Sequence, residues 1–262
     1  MQLSVHFENT QGTEAGSGPV TVGWFLNQQK GGIVYFPPER VRGAEKNKTH
    51  AKSASRCPAV INLESRYFVI RCPFDLHLGF TRDDKGKPHI RNLNGDMSGI
   101  RASKLAEKIH MTPEKEWRYA GIPTIQLVLP YVFIADEPVY ASQVAPFMHY
   151  QKTPMPGTIF GGRFPINVWP RPLMWAFEWH ETDKPLKINR GDPLFYLTFE
   201  TVPQDRSVVV VETEVTPELT DYMELISGAV NYVNQTFSLF EAAEERRPET
   251  LIRPVKRRPT KD

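Results

Sequence analysis

Prolines set the grain of this chain. There are 23 of them against 17 glycines, and most stand singly or in pairs between short apolar runs. A proline removes a backbone donor and clashes with a helix interior. Such spacing therefore favours many short strands with fixed corners over long helices.

The runs between the prolines are strand-like. SVHFEN (4–9) alternates, and TVGWFL (21–26) is placed to pair with GIVYF (32–36) across NQQKGG. TIQLVLPYVFI (124–134) is β-branched and aromatic, with Pro130 confining it to an edge or bending it. TIFGGRFPINVW (158–169), LMWAFEWHE (173–181), PLFYLTFET (193–201) and SVVVVET (207–213) follow, with turns at TDKP (182–185) and RGD (190–192). In LMWAFEWHE, Leu173, Trp175, Phe177 and Trp179 share one face, and Met174, Ala176, Glu178 and His180 the other. That period of two is the mark of a half-buried antiparallel strand. Short helical pieces are predicted at 102–110 and 113–119, the second opened by Thr112-Pro113.

The last fifth changes character. Thr216 is a good N-cap and Pro217 suits the first helical position. Leu219, Met223, Ile226, Val230, Val233, Phe237 and Phe240 then recur at alternating spacings of four and three, a heptad stripe. One helix is expected to run to about Arg246, where Pro248 stops it. The stripe packs on the chain's own sheet or zips copies together, and the bulk of Phe237 and Phe240 favours the sheet. The segment RRPETLIRPVKRRPTKD reads as a basic, extended tail. The expected organisation is a mainly β domain over 1–214, an antiparallel β-sandwich or β-clip-like fold. A C-terminal amphipathic helix over 215–247 and a flexible basic tail over 248–262 complete it.

The 262 residues, 40% hydrophobic and 24% charged, suffice for a core without disulfides or structural metals. The net charge of +2 gives no molecule-wide attraction to nucleic acid. Basic residues cluster in the loop 38–56 (Arg40, Arg42, Lys46, Lys48, Lys52, Arg56) and in the tail, where backbone phosphates are one partner and solvent the other. Residues 1–30 lack a basic-then-apolar leader, and no run of 18 apolar residues occurs, so a soluble protein of a reducing cytoplasm or of a virion is expected, without membrane contact.

The two cysteines stand in an echo, Arg56-Cys57-Pro58 and Arg71-Cys72-Pro73. If 58–63 and 67–71 form a hairpin turning near Glu64-Ser65, Cys57 and Cys72 lie opposite each other at its open end, within ~5 Å. Three readings stay open: two small buried apolar side chains, two thiolates of a metal site completed by distant ligands, or a redox pair. None of the seven histidines stands in a metal-binding spacing.

Other candidates are single residues. Arg171, between two prolines and beside tryptophans, suits a phosphate or carboxylate, or a structural stack on an aromatic ring. His180, with Glu181, is either an acid–base group or an exposed strand end, and Trp175 is the aromatic neighbour of such a pocket. Asp75 is a ligand group or a turn cap. GSG (16–18) and FGGRF (160–164) match no phosphate-loop pattern, and no GxSxG, HExxH or EF-hand loop occurs. The cofactor is left unknown.

The blocks CPAVINL, RCPFDL, RPLMWAFEW and RGDPLFYLTFE resemble uncharacterised proteins of tailed bacteriophages, mostly of marine hosts, and of some bacteria. The resemblance covers most of 55–200 and implies a phage or prophage setting. PGTIFGGRFPINVW followed by LKINRGDPLFYLTF resembles the late strands of the dUTPase-like β-clip fold, over about 45 residues. That family's aspartate and tyrosine fall at Phe160 and at a residue other than tyrosine, and its glycine-rich arm is missing. The likeness thus implies a fold without nucleotide hydrolysis. Two functions follow as expectations. One is an accessory or structural protein working through protein contacts, with self-association. The other is an enzyme of unfamiliar type, with a pocket near the Cys57/Cys72 hairpin end, Arg171 and His180.

Overall fold

The computed structural model describes residues 18–28, 32–41, 53, 56–204, 206–229 and 236–256. In chain order, β1 (Val20–Leu26) and β2 (Glu39–Arg40) precede helix α1 (Pro58–Ser65), then β3 (Tyr67–Arg71), β4 (Leu76–Arg82), β5 (Pro88–Asn92), α2 (Ala102–Lys108) and β6 (Ile109–Met111). The second half runs β7 (Thr124–Val128), β8 (Tyr131–Ala135), β9 (Val139–Val144), β10 (Thr158–Phe160), β11 (Arg163–Pro165), β12 (Met174–Glu178), β13 (Leu186–Ile188), β14 (Pro193–Thr201) and β15 (Val208–Glu212). Helices α3 (Pro217–Ala229) and α4 (Thr236–Glu245) close it.

Among the described residues the strands form four sheets, ordered β15-β1-β8, β10-β12-β7-β6, β11-β9-β14-β3-β2 and β13-β4-β5. The protein is mainly β and its pairing is antiparallel, except where β1 and β15 run parallel. One core joins the inner faces of all four. Trp175, Phe177 and Leu127 meet Phe133, Ile70, Leu197 and Leu78 in it, each 1% exposed or less. The alternation read from LMWAFEWHE holds: Leu173, Trp175, Phe177 and Trp179 are all buried.

Prolines and glycines act where the chain changes sheet. Pro130 separates β7, in one sheet, from β8, in another, so it bends the apolar run and shares it between two sheets. Gly161 and Gly162 do the same between β10 and β11. A Cβ on Gly161 would stand 2.3 Å from the Gln143 carbonyl oxygen, so only glycine passes there.

In the β15-β1-β8 sheet, β8 and most of β1 are buried on both faces. Val22, Trp24 and Phe133 point into the main core, while Phe25, Val132 and Ile134 meet Leu219, Tyr222, Ile226, Leu239 and Ala243 of α3 and α4. The stripe therefore packs on the chain's own sheet. It is carried by two helices rather than one. The Tyr222 hydroxyl lies 3.0 Å from the Ala243 carbonyl oxygen, whereas 21 residues of straight helix would separate them by about 30 Å. Val230 and Val233, and the side chain of Phe237, lie outside what is described.

Three expectations are corrected. Residues 32–36 form no strand; β1 pairs with β8 and β15 instead, so distant strands occupy both of its edges. The tail is docked as far as Val255. Leu251 and Ile252 are 1% and 8% exposed, Thr213 bridges Pro254, and the Val255 N–H donates to the Glu212 carbonyl at 3.0 Å. Two apolar residues suffice to seat it beside β15. Thirdly, 58–65 is helix, not the first arm of a hairpin. Cys57 is its extended N-cap residue and Pro58 its first position, where a fixed φ and a missing N–H cost nothing. Cys57 and Cys72 thus do not face each other across a ladder. Both are free thiols, Cys57 exposed and Cys72 buried.

SVHFEN (4–9), the basic loop from 42 to 52, and residues 257–262 of the tail lie outside the described residues. No described helix is long and apolar enough to cross a membrane.

Candidate functional site

The most pocket-like feature near a predicted site residue is a cleft of about 560 Å³ between α3 and the sheet edge. Phe25, Trp169, Pro170, Met174, Met223 and Ile226 make its apolar walls, and Arg171 and Glu224 are its charged groups. The local sequence explains the position of Arg171. Proline on either side removes backbone donors and holds the segment extended. Leu173 anchors the segment to β8 through its N–H, 2.9 Å from the Tyr131 carbonyl oxygen. Trp169 is wedged edge-on against Phe240, with ring centroids 5.0 Å apart. Arg171 is exposed, yet crowding by the cleft walls lowers its pKa from the ordinary arginine value. It has no hydrogen bond, ion pair or aromatic stack among the described residues. The structural stack weighed from sequence is therefore not what holds it.

A second constellation lies on the outer face of the β10-β12-β7-β6 sheet. Glu178 closes β12, and its side chain is only 3% exposed because Arg118 lies over it. Arg118 Nε sits 2.8 Å from Glu178 Oε1 and Nη2 2.9 Å from Oε2, a bidentate pair. The Arg118 guanidinium also lies 4.9 Å from the ring centres of both Tyr119 and Phe160, which are 48% and 45% exposed. His180 joins at the margin, Nε2 3.3 Å from Thr158 Oγ1 and 3.7 Å from Glu178 Oε2, its ring 6.3 Å from that of Tyr119.

The remaining predicted residues fall elsewhere. Trp175 is a core residue, 1% exposed and stacked on Phe177, so it walls no pocket; its place on the inner face of β12 decides this. Asp75 caps the RGD turn: its Oδ1 accepts the Arg190 N–H at 2.6 Å. Cys72 is tied to the same turn. Its N–H donates to the Asp192 carbonyl, its own carbonyl accepts from Gly191, and its thiol donates to the Phe74 carbonyl at 3.0 Å. Burial pushes that thiol up to about 12. No group of three or more His, Cys, Asp or Glu that could hold a metal occurs among the described residues. Arg40, in the described part of the basic loop, donates to the Val208 carbonyl at 2.8 Å and stacks over Phe68.

Sequence reasoning found Arg171 and His180 but missed Arg118, Tyr119 and Glu224. Glu178 between two tryptophan-strand aromatics was the visible signal. Its partner is 60 residues away and could not be named without the fold.

No family model matches the chain, and no curated protein or solved structure matches it either. The geometry itself therefore defines the class: a mainly β protein backed by two packed helices, with an arginine–aromatic patch on one sheet and a one-arginine cleft beside the helices.

Proposed function

We propose that this protein is an accessory or structural protein of a tailed-phage or prophage setting. It works through protein contacts, in the first place between copies of itself. The observation that carries the reading is the Arg118 patch. Tyrosine, arginine and phenylalanine are the residue types that dominate protein–protein affinity. Here the guanidinium is held by a buried carboxylate and flanked by two half-exposed rings, so little side-chain freedom is lost on docking. The patch also holds both halves of a cation–aromatic contact, which lets one copy stack on another about a two-fold axis. The phage setting rests on the sequence resemblance.

The test is light scattering after size exclusion, over a concentration series, on the wild-type chain and on Phe160→Asp. Phe160 is half exposed, so the change adds charge to the patch with little effect on folding. A wild-type oligomer that Phe160→Asp converts to monomer is the expected result. A wild type that stays monomeric throughout, or an oligomer indifferent to Phe160→Asp, overturns the reading.

A further inference from the structure

Arginines line several hollows of this protein, and in the others they are already engaged. In the hollow of about 770 Å³ between β2, β3 and β14, Arg71 contacts Glu39 at 3.3 Å and the Gly191 carbonyl at 3.0 Å. In the hollow of about 450 Å³ beside α1, Arg66 donates to Asn62 and to the Gln204 carbonyl, Arg40 to the Val208 carbonyl, and Arg206 pairs with Glu137. Those guanidiniums hold loops in place. The Arg171 guanidinium, on a segment stiffened by Pro170 and Pro172, has no such partner among the described residues.

We propose that the Arg171 cleft is a binding site for a small monoanion with an apolar body, a carboxylate carried on an alkyl or aromatic group. Three properties of the cleft select that class. Its volume of about 560 Å³ falls in the range of small-molecule sites. Its walls are mostly apolar, from Phe25, Trp169, Met174, Met223 and Ile226, so the body of the ligand is desolvated there. Its single cation matches a single negative charge, in the planar fork geometry that suits a carboxylate. Glu224 on the same wall opposes a second negative charge, which disfavours phosphate dianions and free nucleotides. Thr220 and Ser227 of α3 add hydroxyl groups at the rim. The site lies beside α3 and α4, apart from the Arg118 patch, and does not depend on that patch's role.

The experiment is isothermal titration calorimetry of the full chain with decanoate, below its micelle concentration, against 1-decanol and decyl phosphate. The expected result is one decanoate per chain, bound at least about tenfold more tightly than 1-decanol and more tightly than decyl phosphate at a pH where the phosphate is a dianion. Arg171→Met, which keeps the stem and removes the charge, loses that advantage. Arg171→Lys keeps the charge but not the planar fork, so its affinity for decanoate falls between those of the wild type and Arg171→Met. Near-ultraviolet circular dichroism of both variants checks that they fold. Should Arg171→Met not fold, the wild-type comparison of decanoate with 1-decanol still decides. No binding of decanoate, equal binding of acid and alcohol, or a preference for the phosphate overturns the proposal. So does tight binding of an apolar peptide with a free C-terminal carboxylate where decanoate fails, which would make the cleft a peptide site.

Discussion

Glu178 and Arg118 meet through two parallel contacts, at 2.8 and 2.9 Å, with the carboxylate buried and the guanidinium half exposed. The asymmetry decides what each residue is worth. Arg118 is the lid that lets a carboxylate sit on a sheet face at 3% exposure. Removing the lid strips the recessed carboxylate of both charge-assisted bonds, lets water reach one side of it and leaves His180 at 3.7 Å. Arg118→Ala is therefore expected to cost about 2–3 kcal/mol, less than a pair broken in the dry interior. Glu178→Gln should cost roughly 1–2 kcal/mol, since the amide fills the same space and only the charge is lost. Urea unfolding of both variants checks the order; an equal or reversed ranking would contradict it.

The docked tail makes a second case. Leu251 sits in a basic, proline-rich stretch, yet it is 1% exposed, and Asp136 Oδ1 accepts its N–H at 2.6 Å. Leu251→Ala should cost roughly 2–4 kcal/mol, as for a core leucine. A loss under about 0.5 kcal/mol in denaturant titration would show the tail to be undocked in solution.

Gly23 of β1 lies under that tail. A Cβ there would stand 3.0 Å from Ile134 Cγ1, 3.2 Å from Ile252 Cγ1 and 3.3 Å from Thr213 Cγ2. Gly23→Ala should destabilise by about 1–3 kcal/mol through overpacking. Adding Ile252→Ala removes one of the three crowding atoms, so the double variant should lose less than the sum of the singles. Strict additivity in a double-mutant cycle would mean the two do not touch.

The thiols should behave differently. Cys57 is exposed, whereas Cys72 is buried, donates to a carbonyl, and has a pKa pushed up to about 12. A thiolate-selective reagent at pH 8 should modify one thiol per native chain and two in denaturant. Peptide mapping should assign the native label to Cys57.

Alkaline pH gives a further prediction. Burial raises Tyr35 and Tyr222 from 10.0 to about 12, and raises Tyr131 as well. The folded state then holds protons that the unfolded state releases. The stabilisation is complete below pH 10 and is lost as pH rises from 10 through about 12. Unfolding by fluorescence should coincide with the last part of the tyrosinate absorbance change in that window. Completion of the change for all nine tyrosines while the chain is still folded would mean these hydroxyls are not buried.

Much of the fold was legible in the sequence where the signal was local. The period of two in LMWAFEWHE, the RGD turn, the bend at Pro130 and the Thr216-Pro217 helix start all follow from neighbours in sequence. Cys57–Ser65 was misread because a short apolar run has no decisive period, and Pro58 suits a helix start as well as a strand end. The β1–β15 pairing, the bidentate Arg118–Glu178 contact and the seating of Leu251 join residues 60 to 188 positions apart, beyond what any local pattern encodes. The cleft was half legible. Arg171 between prolines marked itself, but its apolar wall comes from β1, β7 and α3, and Glu224 from a helix turned back by packing.

The parallel seat of β1 between β8 and β15 bears on how the chain is made. Val20 waits for Val208, and Trp24 for Glu212. A ribosome releases the first of these strands long before the last, so the nascent chain carries an apolar strand with one open edge through most of its synthesis. Completion of that sheet thus waits for β15, and a message cut short before Val208 yields a product with one edge of β1 unshielded, material for degradation or aggregation rather than a smaller working protein.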